Sequence, residues 1–274
     1  MFSNIFRKKV LSKEQKEFWS ENGFLVIESL IPQESVDQLN EEIDALKSGS
    51  KSYPGVIVDI SSGSKAGQRL KLEDVPQDGF NGPLKINDLF LYSPAVRACN
   101  LHQQLRKILD ELLDGEPILF NSLNFIYGST QAAHYDSWFM PPRVKDKMLA
   151  TSICLDVHHD DNGPVFYYPG SHKIPPFVFP HGGIAKLDAD LAPAVQYATE
   201  TSRDLKKELF RGKPGDVLIW HGQLLHGGSA INSMQDTRRS LVSHYLRVKD
   251  VPVSARVKKE EGMVLKREAI KVAG

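Results

Sequence analysis

Leu123-Asn124-Phe125-Ile126-Tyr127-Gly128-Ser129-Thr130-Gln131-Ala132-Ala133-His134-Tyr135-Asp136-Ser137-Trp138-Phe139 is the stretch on which the reading of this chain turns. In an extended backbone residues two apart share a face, so on a strand the imidazole of His134 and the carboxylate of Asp136 converge on one point. Two histidines and one carboxylate that leave positions open form the donor set of non-haem Fe(II) oxygenases, so the pair asks for a distant second histidine. Trp220-His221-Gly222-Gln223-Leu224-Leu225-His226-Gly227-Gly228 supplies it. His226 is favoured because Gly227 and Gly228 allow close backbone approach; His221 is the alternative.

A lone His-x-Asp is more often a hydrogen-bonded surface histidine, and the context decides against that. Soon after His226 comes Arg238-Arg239-Ser240-Leu241-Val242-Ser243-His244-Tyr245, a strand-like run with cations at its start. A guanidinium presents paired donors to a carboxylate, as a dicarboxylate co-substrate requires. Alternation sets Arg238, Ser240, Val242 and His244 on one face and Arg239 on the other.

With 274 residues and 41% apolar content the chain can bury a full core. Its net charge is zero, with lysine and arginine dispersed among acids, so no nucleic-acid partner is expected. Only Cys99 and Cys154 are present, each inside an apolar run, which reads as reduced, buried thiols and a cytoplasmic location. Met1 to Lys9 lack the apolar core of a leader, and no apolar run reaches the ~18 residues of a membrane span.

Ser12-Lys13-Glu14-Gln15 is a capping box that opens a helix to about Asn22, ended by Gly23. Phe24 to Ile27 is a short strand, and Val36, Leu39, Ile43 and Leu46 mark a second helix after Pro32. Val56 to Ile60 is a strand among loops, and Pro94 to about Leu113 reads as one helix stopped by Gly115. Then short strands follow: Ile118 to Ile126, Leu149 to Asp156, Val165 to Tyr168, Val217 to Trp220 and Ser240 to Arg247. The class is mainly β with flanking helices, and a jelly roll is one closed solution. His158, His159 and Asp160 precede Asp161-Asn162-Gly163-Pro164 and read as a solvated turn.

Taken together, these residues resemble the phytanoyl-CoA dioxygenase family of Fe(II)/2-oxoglutarate oxygenases. The likeness rests on His134-x-Asp136 followed by Phe139-Met140-Pro141-Pro142, on Asp161-Asn162-Gly163-Pro164 followed by Tyr167-Tyr168-Pro169-Gly170-Ser171-His172, and on Pro214-Gly215-Asp216-Val217 leading to His226-Gly227 and Arg238. It implies one domain over 1–274: a helical preamble at about 12–115, a double-stranded β-helix (jelly roll, cupin-like) core at about 116–250, and a tail at 251–274. It implies His134, Asp136 and His226 as iron ligands and Arg238 as the residue binding the far carboxylate of 2-oxoglutarate. Asn124, Ser152 and Ser240 are the further candidate co-substrate contacts.

The expected activity is hydroxylation of an unactivated C–H bond of a small organic molecule, using Fe(II), 2-oxoglutarate and O2 and releasing succinate and CO2. A cupin-like metal-dependent isomerase or hydrolase is one alternative, and it leaves Arg238 unexplained; a non-catalytic binding relative is the other, and it predicts loss of a ligand where all three are present. Segments 51–82, 137–147 and 173–200, loop-rich and including Phe177, Phe179 and His181, are expected to select the substrate. Oligomeric state is not fixed by the sequence.

Overall fold

The computed structural model describes residues 10–180, 182–185 and 188–267. The first helix, α1 (Lys13–Asn22), opens on the expected capping box: Ser12 Oγ accepts from Gln15 N–H while Gln15 Oε1 accepts from Ser12 N–H. Gly23 closes it at φ +77°, where an added Cβ would lie 2.4 Å from His172 Nδ1. In α2 (Gln33–Lys47), Val36, Leu39, Ile43 and Leu46 are all buried, as their spacing requires.

The strands in chain order are β1 (Phe24–Ile27), β2 (Ile57–Ile60), β3 (Arg69–Lys71), β4 (Leu84–Asn87), β5 (Pro117–Phe125), β6 (Met148–Cys154), β7 (Val165–Tyr167), β8 (Glu208–Leu209), β9 (Val217–His221), β10 (His226–Gly228), β11 (Ser240–Arg247), β12 (Arg256–Lys258) and β13 (Met263–Leu265). A large sheet runs β1-β9-β6-β11-β5-β4-β2-β3, with the β12-β13 hairpin joined to β5; a small sheet runs β10-β7-β8. Apart from the β13–β5 contact, these pairings are antiparallel.

Alternation along the central strands separates two cores. Val217, Ile219, Leu149, Ile153, Leu241 and Tyr245 belong to the cluster that also holds the helix residues Leu39, Leu105 and Leu109. Leu218, Trp220, Ala150, Val242 and Phe125 belong to a second cluster with Val165 and Tyr167 of the small sheet. Both faces of β6 and β9 are thus covered, which is why these strands read as nearly unbroken apolar runs. The architecture is the expected double-stranded β-helix with a helical preamble.

Several elements differ from their sequence reading. Pro94 to Leu113 is two helices, α3 (Pro94–Asn100) and α4 (Gln103–Leu113), because His102 is extended (ψ 136°) and the Asn100 carbonyl accepts from Tyr245 Oη instead of from the next turn. Part of the loop-rich segment 173–200 is a helix, α5 (Asp188–Thr201), despite Pro193 within it; Ala194 and Ala198 pack beside Tyr135 and Trp138. The C-terminal tail contributes β12 and β13. His158, read as part of a solvated turn, is buried and hydrogen-bonded. Cys99 and Cys154 are free and buried as expected.

Candidate metal centre

His134 does not sit in a continuous strand. It forms an isolated antiparallel bridge with His226, each peptide N–H donating to the other's carbonyl at 2.9 and 3.1 Å. Tyr135 is extended (φ −105°, ψ 134°) and Asp136 opens a 3-10 turn, so the two-residue alternation survives just far enough to bring imidazole and carboxylate to one side. His134, Asp136 and His226 are all buried, and their ligand atoms lie within 4.8 Å of one another. Gly227 is needed for this approach: a Cβ there would stand 2.5 Å from the Phe166 ring and 2.7 Å from Gln131 O.

The tautomers follow from the partners. Nδ1 of His134 meets Ala132 O at 2.8 Å and Nδ1 of His226 meets Leu224 O at 2.9 Å. A carbonyl only accepts, so both Nδ1 atoms carry the proton and both Nε2 lone pairs are available to a metal. Burial, with His226 alongside, lowers His134 to about 4. Oδ2 of Asp136 accepts from Trp220 Nε1 at 2.9 Å, while Oδ1 faces Nε2 of His226, His134 and His244 at 3.6, 3.9 and 3.3 Å. Burial would raise this carboxyl, but the surrounding imidazoles hold it below the usual carboxylate range.

Arg238 begins the other end of the same face of β11. Its side chain is 1% exposed; Nε donates to Gly163 O at 3.0 Å and Nη1 to Ser240 Oγ at 2.6 Å, over the Phe125 ring. Among the described residues no carboxylate forms an ion pair with it, and burial lowers it only to about 10, leaving it charged at neutral pH. Ser152, in register with Val242 and Leu218, lies between the two ends on the same face, and its buried hydroxyl has no partner. Arg239 turns away and pairs with Asp44.

Asn124 does not join this set. It is in register with Leu241 and Ile86, both in the helix-side cluster, so alternation points it away from Arg238. Its amide is buried and unpartnered there. His244, Asn121 and Trp220 were not singled out from the sequence as site residues. The signal for His244 was present, since it shares the alternating face of Arg238 and Ser240, but nothing local to it announces the carboxylate it meets. His158 stands behind Arg238: its Nδ1 is 3.3 Å from Cys154 Sγ and its Nε2–H donates to Arg239 O.

Next in chain to Asp136, Ser137 and Trp138 border an open cavity of about 910 Å³, lined in part also by Pro141, Arg143, Asp146 and the segment from His172 to Phe179. Of the segments expected to select substrate, 51–82 contributes nothing to it; His181 lies outside the described residues.

The family model for phytanoyl-CoA dioxygenase matches residues 19–240. The peroxisomal phytanoyl-CoA dioxygenase of Rattus norvegicus is 26% identical over 270 residues, covering 89% of this chain and 71% of that protein. Among solved structures, the non-haem α-ketoglutarate-dependent carbocyclase SnoK from nogalamycin biosynthesis superposes with a TM-score of 0.69 at 16% identity, covering 93% of this chain and 97% of that one. EctD from S. alaskensis with 2-oxoglutarate and 5-hydroxyectoine gives 0.61 at 19%, with 96% and 82% covered. These likenesses support the fold. No helix among the described residues is long and apolar enough to cross a membrane.

Proposed function

The chain belongs to the phytanoyl-CoA dioxygenase family of Fe(II)/2-oxoglutarate-dependent oxygenases, and on that premise we propose that it hydroxylates an unactivated C–H bond of a small organic molecule, releasing succinate and CO2. The observation that carries the reading is Arg238, a buried guanidinium in no ion pair among the described residues, on the same face as the unpartnered Ser152 hydroxyl and within one barrel with the His134, Asp136 and His226 cluster. A charge buried without a counter-ion is costly, and an anionic ligand offsets that cost. The donor set fits Fe(II) for the same reason: two neutral Nε2 atoms and one free carboxylate oxygen converge and leave other positions open.

In this reading His134, His226 and Asp136 hold the metal. Arg238 and Ser240 anchor the far carboxylate of 2-oxoglutarate, and Ser152 offers it a hydrogen bond. Bound Fe(II) and 2-oxoglutarate supply the oxidising chemistry, in which the co-substrate is decarboxylated and one dioxygen atom enters the substrate. The protein's part is placement: Trp220 fixes the Asp136 rotamer, and Leu218, Val242 and Phe125 wall the interior against water. No general acid or base is required of the chain.

The test is anaerobic addition of Fe(II) and then 2-oxoglutarate, monitored for the weak visible band of a chelated 2-oxo acid, followed by turnover in isotopically labelled dioxygen. The expected result is a band in wild type, and one labelled oxygen each in succinate and product. No band in reconstituted protein, or product lacking the label, overturns the proposal.

A further inference from the structure

Arg238 has a carboxylate in its neighbourhood to which the metal and co-substrate contacts described above give no role. Ser240 is in register with Cys154, and Leu155 N–H donates to Arg239 O at 3.0 Å, so the next step of the pairing sets Asp156 opposite Arg238. Directly opposed residues of an antiparallel pair share a face. Ser152, Cys154 and Asp156 therefore run alongside Val242, Ser240 and Arg238. The Asp156 carboxylate is held at one oxygen only: Oδ2 accepts from Thr237 Oγ1, whereas Oδ1 is buried without a hydrogen-bond partner.

The other titratable groups around Asp156 are already committed. The guanidinium of Arg239 pairs with Asp44 of α2. His158 comes within 3.7 Å of Oδ1 but is neutral, because burial lowers it to about 3, and its Nε2 proton goes to Arg239 O. Burial pushes the Cys154 thiol up and keeps it protonated. Among the described residues Arg238 is thus the cation that remains, with Nε and Nη1 spent on Gly163 O and Ser240 Oγ.

A bound dicarboxylate gives this one guanidinium two carboxylates to serve. Two anions beside a single buried cation leave a net charge in the interior, and the less costly arrangement has one of them protonated. Asp156 is the group suited to it. Burial pushes its carboxyl up to about 6, against the pull of the Thr237 hydroxyl and of Arg239 and Arg238. At 25% exposure its side chain still exchanges protons with solvent.

We propose that Asp156 is a positioning residue for co-substrate binding: ionised in the ligand-free protein, it shares the charge of Arg238, and when 2-oxoglutarate arrives it takes one proton from solvent and releases the guanidinium to the incoming carboxylate. The ligand of Arg238 is 2-oxoglutarate on the oxygenase reading, and this role of Asp156 rests on that reading. The sign follows. Below about 6 Asp156 is already neutral and the co-substrate binds at full strength; above it, binding requires proton uptake and weakens as pH rises.

The test is calorimetric titration of the full chain, reconstituted anaerobically with Fe(II), with 2-oxoglutarate in buffers that differ in ionisation enthalpy. At pH 7 wild type is expected to take up most of a proton per ligand bound, and Asp156→Asn close to none. From pH 6 to 8 the wild-type dissociation constant should rise by about tenfold and that of Asp156→Asn by less than about twofold, leaving the variant the tighter binder at pH 8. Thr237→Val keeps the carboxyl, withdraws the hydroxyl that favours its ionised form, and is expected to move the rise to higher pH. Fe(II) affinity should be unchanged in both variants. Equal proton uptake in wild type and Asp156→Asn, weaker binding by Asp156→Asn at pH 8, or a rise in Thr237→Val at the wild-type pH overturns the proposal and leaves the oxygenase reading standing. Failure of 2-oxoglutarate to bind wild type removes that reading and the role of Asp156 with it.

Discussion

Nε2 of His244 lies 3.3 Å from Oδ1 of Asp136, and Nδ1 of His244 lies 2.9 Å from Oδ1 of Asn121. Asn121 in turn donates to Asp88, which pairs with Arg267 at 3.0 Å. The carboxylate proposed to bind iron is therefore backed by a run of polar side chains that ends in the C-terminal segment. Groups of this kind orient a metal-binding carboxylate, and their loss typically costs 10–100-fold in affinity. His244→Phe is expected to weaken Co(II) or Fe(II) binding by about 10–100-fold with the far-ultraviolet circular dichroism unchanged. Calorimetric titration that returns the wild-type affinity would dismiss this role.

Arg238→Met removes a buried charge whose proposed partner is the co-substrate. Its effect should fall on 2-oxoglutarate, weakening it by roughly 10–100-fold, since hydrogen bonds to charged groups contribute about 1.5–3 kcal/mol. Metal affinity should not move. The ligand-free protein should melt no lower than wild type, because an uncompensated charge has left the interior. A co-substrate affinity within about threefold of wild type, read from the visible band, would rule out Arg238 as the anchor.

Ser152→Ala tests the same interior with opposite signs in two measurements. The unpartnered hydroxyl costs about 1 kcal/mol in the ligand-free state, so the variant should be more stable in denaturant by that order. Its affinity for 2-oxoglutarate should fall several-fold. If both quantities fall, Ser152 is structural and does not contact the co-substrate.

His158 is fully enclosed, and burial followed by the nearby Arg238 lowers it to about 3. The unfolded chain takes up that proton near 6.5, whereas the folded chain does not. The stabilising contribution is therefore complete above about 6.5 and is lost as pH falls towards 3. Melting temperatures of His158→Gln should decline less steeply than wild type between pH 7 and 4; parallel curves would show that other groups govern the acid limb.

Gly227→Ala probes the close approach beside His226. A methyl group meeting both the Phe166 ring and the Gln131 carbonyl should separate the two histidine segments. Metal affinity should drop by about tenfold or more at a modest cost in stability. Retained affinity would mean that the Phe166 ring yields and the main chain stays.

Much of the fold was legible because it depends on local patterning. The Ser12 capping box, the α2 stripe and the boundaries of β11 each depend on neighbours in sequence, and the alternation that sets Arg238 and Arg239 on opposite faces is seen in their different partners. Where the reading failed, a distant group had intervened. Tyr245 captures the Asn100 carbonyl and splits a helix; Cys154 and the Arg239 carbonyl draw His158 out of solvent. Asn124 was misplaced for a different reason: it lies one residue before Phe125, and alternation, applied to β11 but not to β5, would have sent it to the outer face. His244 and Trp220 acquire their meaning only when Asp136 arrives between them.

The peptide bridge between His134 and His226 has a thermodynamic corollary. Main-chain hydrogen bonds join the two segments directly, so the backbone itself sets the register of the imidazoles. The centre then behaves as a socket, not as a clasp that folds the protein around its occupant. A chelator should leave a folded, reloadable shell, and added metal should raise the melting temperature with the logarithm of its concentration, as for any ligand that finds its site already built.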